Sequence, residues 1–232
     1  YSQKNRLMKG ETKMKHLVKV ALVQFSPLPM EQMQENIDYI ISKIEELASN
    51  GNELIVFPEM SITNFYEHGP LGKQIYWENG TLSLDDMAIN RIIKTAQEQE
   101  VYVIVSLAER SEIVGTIYNS ALLLGPSGII GRIRKMHLPG LEKLYFTEGN
   151  EPEVFDTPIG KIGIAICYDS MFPEYVRLLA AKGAEIIAFP SSIWKGGNKG
   201  GIGSSGSKET FWNVLPLVRA LENQCFVIAC NG

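Results

Sequence analysis

The feature that most constrains this chain is a strand that ends at a thiol and turns into a helix. Residues 161–167, Lys-Ile-Gly-Ile-Ala-Ile-Cys, are an apolar β pattern, and Tyr168, Asp169, Ser170 and Met171 then lead to Phe172-Pro173-Glu174. Alternate side chains on a strand face opposite sides. Ile162, Ile164 and Ile166 are therefore expected on one face, with Gly163, Ala165 and Cys167 on the other. The second face carries little bulk, which leaves room for a closely packed layer or a pocket. Pro173 suits the first helical position, Glu174 complements the helix dipole, and Gly183 after Lys182 reads as the helix end. A cysteine on an apolar strand is ordinarily core packing, so Cys167 needs partners before it can be read as a nucleophile.

Strands and helices alternate through the rest of the chain. Residues 17–25 read as a first strand covered on both faces, and residues 33–49 as an amphipathic helix followed by Gly51. Residues 53–57 form a short strand that delivers Pro58-Glu59-Met60. A loop is expected over 63–80, then a helix capped by Ser83 with Asp85 and Asp86 in its first turn. Residues 101–107 are strongly β, and 116–124 with 129–134 make a hairpin about Gly125-Pro126-Ser127-Gly128, ending in Lys135-Met136-His137. Strands near Val154 and over 185–189, a Gly-rich surface loop over 196–206, a helix over 208–222 and a strand over 225–229 complete the pattern. Residues 1–16 read as a loose tail and 17–232 as one domain. This alternation, with one hairpin, indicates an α/β layered fold with mixed sheets.

The bulk properties narrow the function. With 45% hydrophobic and 21% charged residues, a net charge of −4 and dispersed Lys and Arg, no nucleic-acid partner is expected. No apolar run reaches the roughly 18 residues that span a bilayer, so no membrane partner is expected either. The polar N-terminal stretch lacks a secretory core and three cysteines make no disulfide framework, which together suggest a cytoplasmic protein. No His-Glu-x-x-His or paired Cys-x-x-Cys is present to hold a metal, and none is expected.

Glu59, Lys135 and Cys167 each stand just beyond the end of an apolar strand. A free thiol, with a pKa of roughly 8.5, is mostly protonated at neutral pH and needs a base or a cation to attack a carbonyl. Glu59 can take that proton and return it to a leaving amine. Lys135 can stabilise an oxyanion, with the Tyr168 N–H as a second donor.

Around these residues the chain resembles the nitrilase-like carbon–nitrogen hydrolases. The likeness rests on Phe57-Pro58-Glu59, on Arg134-Lys135-Met136-His137-Leu138 with Glu142, Phe146 and Gly149, and on Ile166-Cys167-Tyr168-Asp169 with Phe172-Pro173-Glu174 and Arg177. Gly183-Ala184-Glu185, Pro190-Ser191-Ser192 and Arg219-Ala220-Leu221-Glu222-Asn223 extend it in order. The resemblance implies a four-layer αββα sandwich with two mixed sheets, a catalytic triad of Glu59, Lys135 and Cys167 supported by Glu142, no cofactor and a homo-oligomer. It also implies a C-terminal part, used in subunit contact, beyond residue 232.

Within that family, Cys167-Tyr168-Asp169 is similar to amidases and carbamoylases more than to true nitrilases, which commonly carry Cys-Trp-Glu. The expected substrate is a small amide or an N-carbamoyl amine or amino acid. Alternatives are an ω-amidase of short dicarboxylate monoamides, a Cys–His hydrolase using His137 or His68, and a catalytically silent binding module. Tyr66, His137 and Trp194 are candidate pocket residues.

Overall fold

The computed structural model describes residues 17–65, 72–193 and 205–232. Tyr66, His68 and Trp194 lie outside the described residues, as does the Gly-rich stretch apart from Ser205 and Gly206, which begin a helix.

Two mixed sheets pack face to face. The first joins β1 (Val20–Leu22), β2 (Leu54–Val56), β3 (Tyr102–Arg110), β4 (Ile117–Gly125) and β5 (Gly128–Arg134) in sequence order, parallel from β1 to β3 and antiparallel from β3 to β5. The second joins β6 (Val154–Thr157), β7 (Gly160–Ile164), β8 (Ile186–Ser191) and β9 (Phe226–Asn231), parallel except for the β6–β7 pair. Strand alternation decides what each face buries. Leu54, Val56, Ile104, Ala121 and Leu123 meet Ile162, Ile164, Ile186 and Ala188 between the sheets. Ile55, Val103, Val105, Leu107 and Leu122 point the other way, onto α1 (Met33–Ser49) and α3 (Met87–Glu98). On the second sheet, Ala165, Ile187 and Phe189 meet Tyr175, Val176 and Leu179 of α4 (Pro173–Ala181). Helix α5 (Ser205–Asn223) lies beside α4 and β9. The result is the αββα sandwich.

Three expectations change. The first strand is only three residues long and half-open, with Leu22 46% exposed, because β1 is the edge of its sheet. The cap of α3 is Asp86 rather than Ser83. Its carboxylate accepts the Ala88 N–H at 2.8 Å, so both Asp85 and Asp86 precede the helix. The loop read over 63–80 contains a helix, α2 (Lys73–Asn79), built around the buried Tyr76, whose hydroxyl donates to the Asn64 carbonyl. Elsewhere, Pro173 starts α4, Gly183 follows it at φ 93°, and a Cβ on Gly163 would stand 3.2 Å from Leu179. That last contact is the close second layer expected over the small-residue face.

Candidate active site

Strand β7 stops at Ile164, and Cys167 opens a single 3-10 turn, Cys167–Met171, at φ 46°. A left-handed conformation costs a non-glycine residue about 1–2 kcal/mol, so the turn must be held. The Ser170 hydroxyl donates to the Cys167 carbonyl at 2.6 Å, and Arg219 of α5 donates to the Ser170 and Met171 carbonyls, both at 2.9 Å. The conformation also corrects the expected facing. Cys167 packs with Ile162, Ile164 and Ile166 toward the first sheet and not on the side of Gly163 and Ala165, because strand alternation has ended before it.

Lys135 is the first residue after β5. Its N–H donates to the Asn119 carbonyl and its own carbonyl accepts from Gly149, each at 2.8 Å. A Cβ on Gly149 would collide with the Arg134 carbonyl, which is why this approach needs glycine. Glu59 follows β2 and reaches the second sheet, its N–H donating to the Ser191 carbonyl at 3.4 Å. The polar groups thus gather where β2, β5, β7 and β8 all end, beyond the carboxyl ends of strands, as is common for α/β sites.

There the fully buried Lys135 Nζ donates to Glu59 Oε1 at 2.7 Å and to Glu142 Oε2 and Oε1 at 2.9 and 3.0 Å. Glu59 Oε1 also accepts from Asn119 Nδ2 at 2.8 Å, and Glu59 Oε2 from the Ser192 N–H at 3.1 Å. Burial alone would push the Lys135 pKa down, yet the charges of Glu59 and Glu142 carry it above the ordinary lysine value. Burial pushes Glu142 up to about 7, against the pull of Lys135. Burial and then the Glu59 charge push the Cys167 thiol up, opposed by Lys135 and by the Ser192 amide. The resting group is therefore a neutral thiol beside an ammonium shared by two carboxyl groups. Among the described residues no cluster of three or more His, Cys, Asp or Glu is arranged to hold a metal, and both Glu59 and Glu142 are committed to Lys135.

The remaining candidates are placed as follows. The Tyr168 ring stands edge-on to Phe172 at 5.3 Å, and its N–H, the second of the 3-10 turn, has no protein acceptor among the described residues. His137 lies beyond the end of β5. Its Nδ1 is 2.8 Å from Asp169 Oδ1 and its ring stacks on Phe172 at 3.6 Å, so it is held by Asp169 and not presented as a partner of the thiol. Residue type alone does not mark Asn119 or the Ser192 amide as site groups. Asn119 had one signal, an isolated amide inside an apolar strand, since a buried polar side chain needs a partner.

Residues 19–232 match the family model for carbon-nitrogen hydrolases. A nitrilase from Pyrococcus abyssi is 34% identical over 93% of this chain and 75% of its own length. A citrullinase from Francisella tularensis is 33% identical over 92% of this chain and 73% of its own. An amidase from Nesterenkonia sp. AN1, solved with acrylamide added to its active-site cysteine, superposes with a TM-score of 0.76 at 23% identity, covering 93% of this chain and 78% of that one. The last shows the fold, and the first two, with the family model, show the lineage: the chain is a carbon–nitrogen hydrolase of the nitrilase superfamily.

Proposed function

We propose that the chain cleaves a small N-carbamoyl amine or related linear amide through a thioester on Cys167, with Glu59 as general base and acid and Lys135 as the oxyanion's cation. One observation carries this reading. The ammonium of a fully buried lysine lies 2.7 Å from Glu59 and interacts electrostatically with a thiol that burial keeps protonated. A neutral thiol cannot attack until a neighbour takes its proton. Glu59 takes that proton as sulfur bonds to the carbonyl carbon, and Lys135 with the Tyr168 N–H receives the charge that develops on oxygen. Collapse of the tetrahedral species breaks the C–N bond, and the amine leaves with the proton from Glu59. Water then gives a proton to Glu59 and attacks the thioester, which releases the acid and returns the proton to the thiol. From a carbamoyl substrate the released carbamate decomposes to ammonia and carbon dioxide. Glu142 keeps Lys135 charged and in place.

The carbamoyl preference is supported by Cys167-Tyr168-Asp169 and by the citrullinase relative, since citrulline itself carries a carbamoylated amine. The test follows ammonia and carbon dioxide release from N-carbamoylputrescine, N-carbamoyl-β-alanine, citrulline, α-ketoglutaramate and a simple nitrile, with Cys167→Ala as control. Equal ammonia and carbon dioxide from a carbamoyl compound is the expected result. Ammonia alone from the ω-amide would move the substrate to the ω-amidase class, and no release from any would favour a silent binding module. Lys135→Ala is expected to abolish turnover and His137→Ala to leave it measurable, whereas a Cys–His enzyme would show the reverse.

A homo-oligomer is part of the same proposal. Its support is a stripe on α5, with Val214, Leu217, Val218 and Leu221 at 50%, 65%, 40% and 72% exposure on one helical face. Light scattering checks it.

A further inference from the structure

Asp169 has no part in the chemistry described so far, yet it is fully buried two residues after Cys167. Its Oδ1 accepts three hydrogen bonds, from the Met136 N–H at 3.2 Å, the His137 N–H at 2.8 Å and His137 Nδ1 at 2.8 Å. All three donors belong to the two residues that follow Lys135. Among the described residues, every hydrogen bond between the turn Cys167–Met171 and this segment runs through that single oxygen. The other ties on the turn lead elsewhere: Ser170 closes the turn on itself, and Arg219 anchors it to α5.

The cost of this arrangement points to a function. Oδ2 of Asp169 is buried without a hydrogen-bond partner among the described residues, and burial raises the pKa of the group. A half-satisfied buried carboxylate costs stability, a poor choice for a turn that Ser170 and Arg219 already hold. The geometry of a 3-10 turn explains why position 169 serves. At three residues per turn, a side chain two positions after the nucleophile projects from a different side, so Cys167 can face the cleft while Asp169 reaches back to the neighbouring strand end.

We infer that Asp169 is a positioning residue, a staple that ties the turn bearing Cys167 to the strand end bearing Lys135 and so sets the spacing of thiol and ammonium. Glu59 cannot do this alone, because its hydrogen bonds run to Lys135, Asn119 and the Ser192 N–H and none of them reaches the turn Cys167–Met171. The same oxygen fixes the His137 ring over Phe172, with Nδ1 carrying the proton that it donates.

The inference rests on Cys167 and Lys135 acting together, so its test has one arm that needs no substrate. Wild type, Asp169→Ala and Asp169→Asn are compared for kcat and KM per active thiol, counted by mass spectrometry of the iodoacetamide-labelled Cys167 peptide, and for the rate of that labelling. In Asp169→Ala the expected result is a kcat about 100-fold lower per active thiol, the loss a misplacement of about 1 Å causes, with KM within a few-fold. Its labelling slows by about tenfold, equivalent to one unit in the thiol pKa as the ammonium withdraws. Asp169→Asn keeps an oxygen that can accept from the same donors and is expected to recover kcat to within about fivefold and labelling to near the wild-type rate. Fewer active thiols but unchanged kcat and labelling for each would show a merely structural role and overturn the inference. So would a folded Asp169→Asn with kcat about 100-fold and labelling about tenfold below wild type, and this arm decides even if the alanine variant does not fold. Absence of turnover in wild type would defeat the proposed function while the labelling arm still judges the staple.

Discussion

Glu142 shows how one partly buried carboxyl group can make this site sensitive to pH near neutrality. Burial pushes it up to about 7, with Lys135 pulling back and the charge of Glu59 adding to the rise. A carboxyl group with a folded pKa above its unfolded value of 4.5 binds its proton more tightly when folded. Its contribution to stability is therefore present at low pH and is lost as pH rises from about 4.5 through about 7. Glu142→Gln removes the titration and keeps an acceptor for Lys135. Thermal melts between pH 5 and 7.5 are expected to show a falling Tm in wild type and a flatter profile in the variant, the difference corresponding to roughly 1–3 kcal/mol. Equal slopes would mean that Glu142 titrates normally. At this scale Glu59, Lys135 and Cys167 are legible in the sequence because each is a polar residue ending an apolar strand. The facing of Cys167 is not, since alternation describes a strand and this residue stands beyond one at φ 46°. Nor is the role of Asp169, whose donors lie 32 and 33 positions away.

Most elements follow from periodicity, and the exceptions have local causes. The hairpin of β4 and β5 is marked by its Gly-Pro-Ser-Gly turn, and both strands appear within a residue of the expected bounds. Helix α2 is hidden because its seven residues are too few to display a period. The α3 start is misplaced because Ser83 and Asp86 are both competent caps, and only the hydrogen bond to Ala88 chooses between them. The distance between the sheets has a marker of its own in Gly131 of β5, where an added Cβ would collide with the Phe155 ring of β6. Gly131→Ala is expected to destabilise by about 1–3 kcal/mol, the usual cost of overpacking a core. Chemical denaturation would measure it, and an unchanged midpoint would show that Phe155 moves aside freely.

For the whole molecule, the sandwich explains why residues so distant in sequence share one site. Each sheet supplies part of it: Glu59, Asn119 and Lys135 from the first, Cys167 and the Ser192 amide from the second. None of the helices in the described residues is long and apolar enough to cross a membrane. The layer order is readable from the resemblance and from alternation together. The outward face of α5 is not, because Val214, Leu217, Val218 and Leu221 carry the same spacing as a core-facing stripe. The central claim is that cleavage proceeds through a thioester on Cys167. The most direct measurement is rapid-quench peptide mapping by mass spectrometry, using whichever compound of the panel turns over fastest. The expected result is a transient acyl or carbamoyl mass on the Cys167 peptide that forms at a rate competent for turnover and is absent from Cys167→Ala, which is also inactive. Turnover with no such adduct, or persisting in Cys167→Ala, would contradict it.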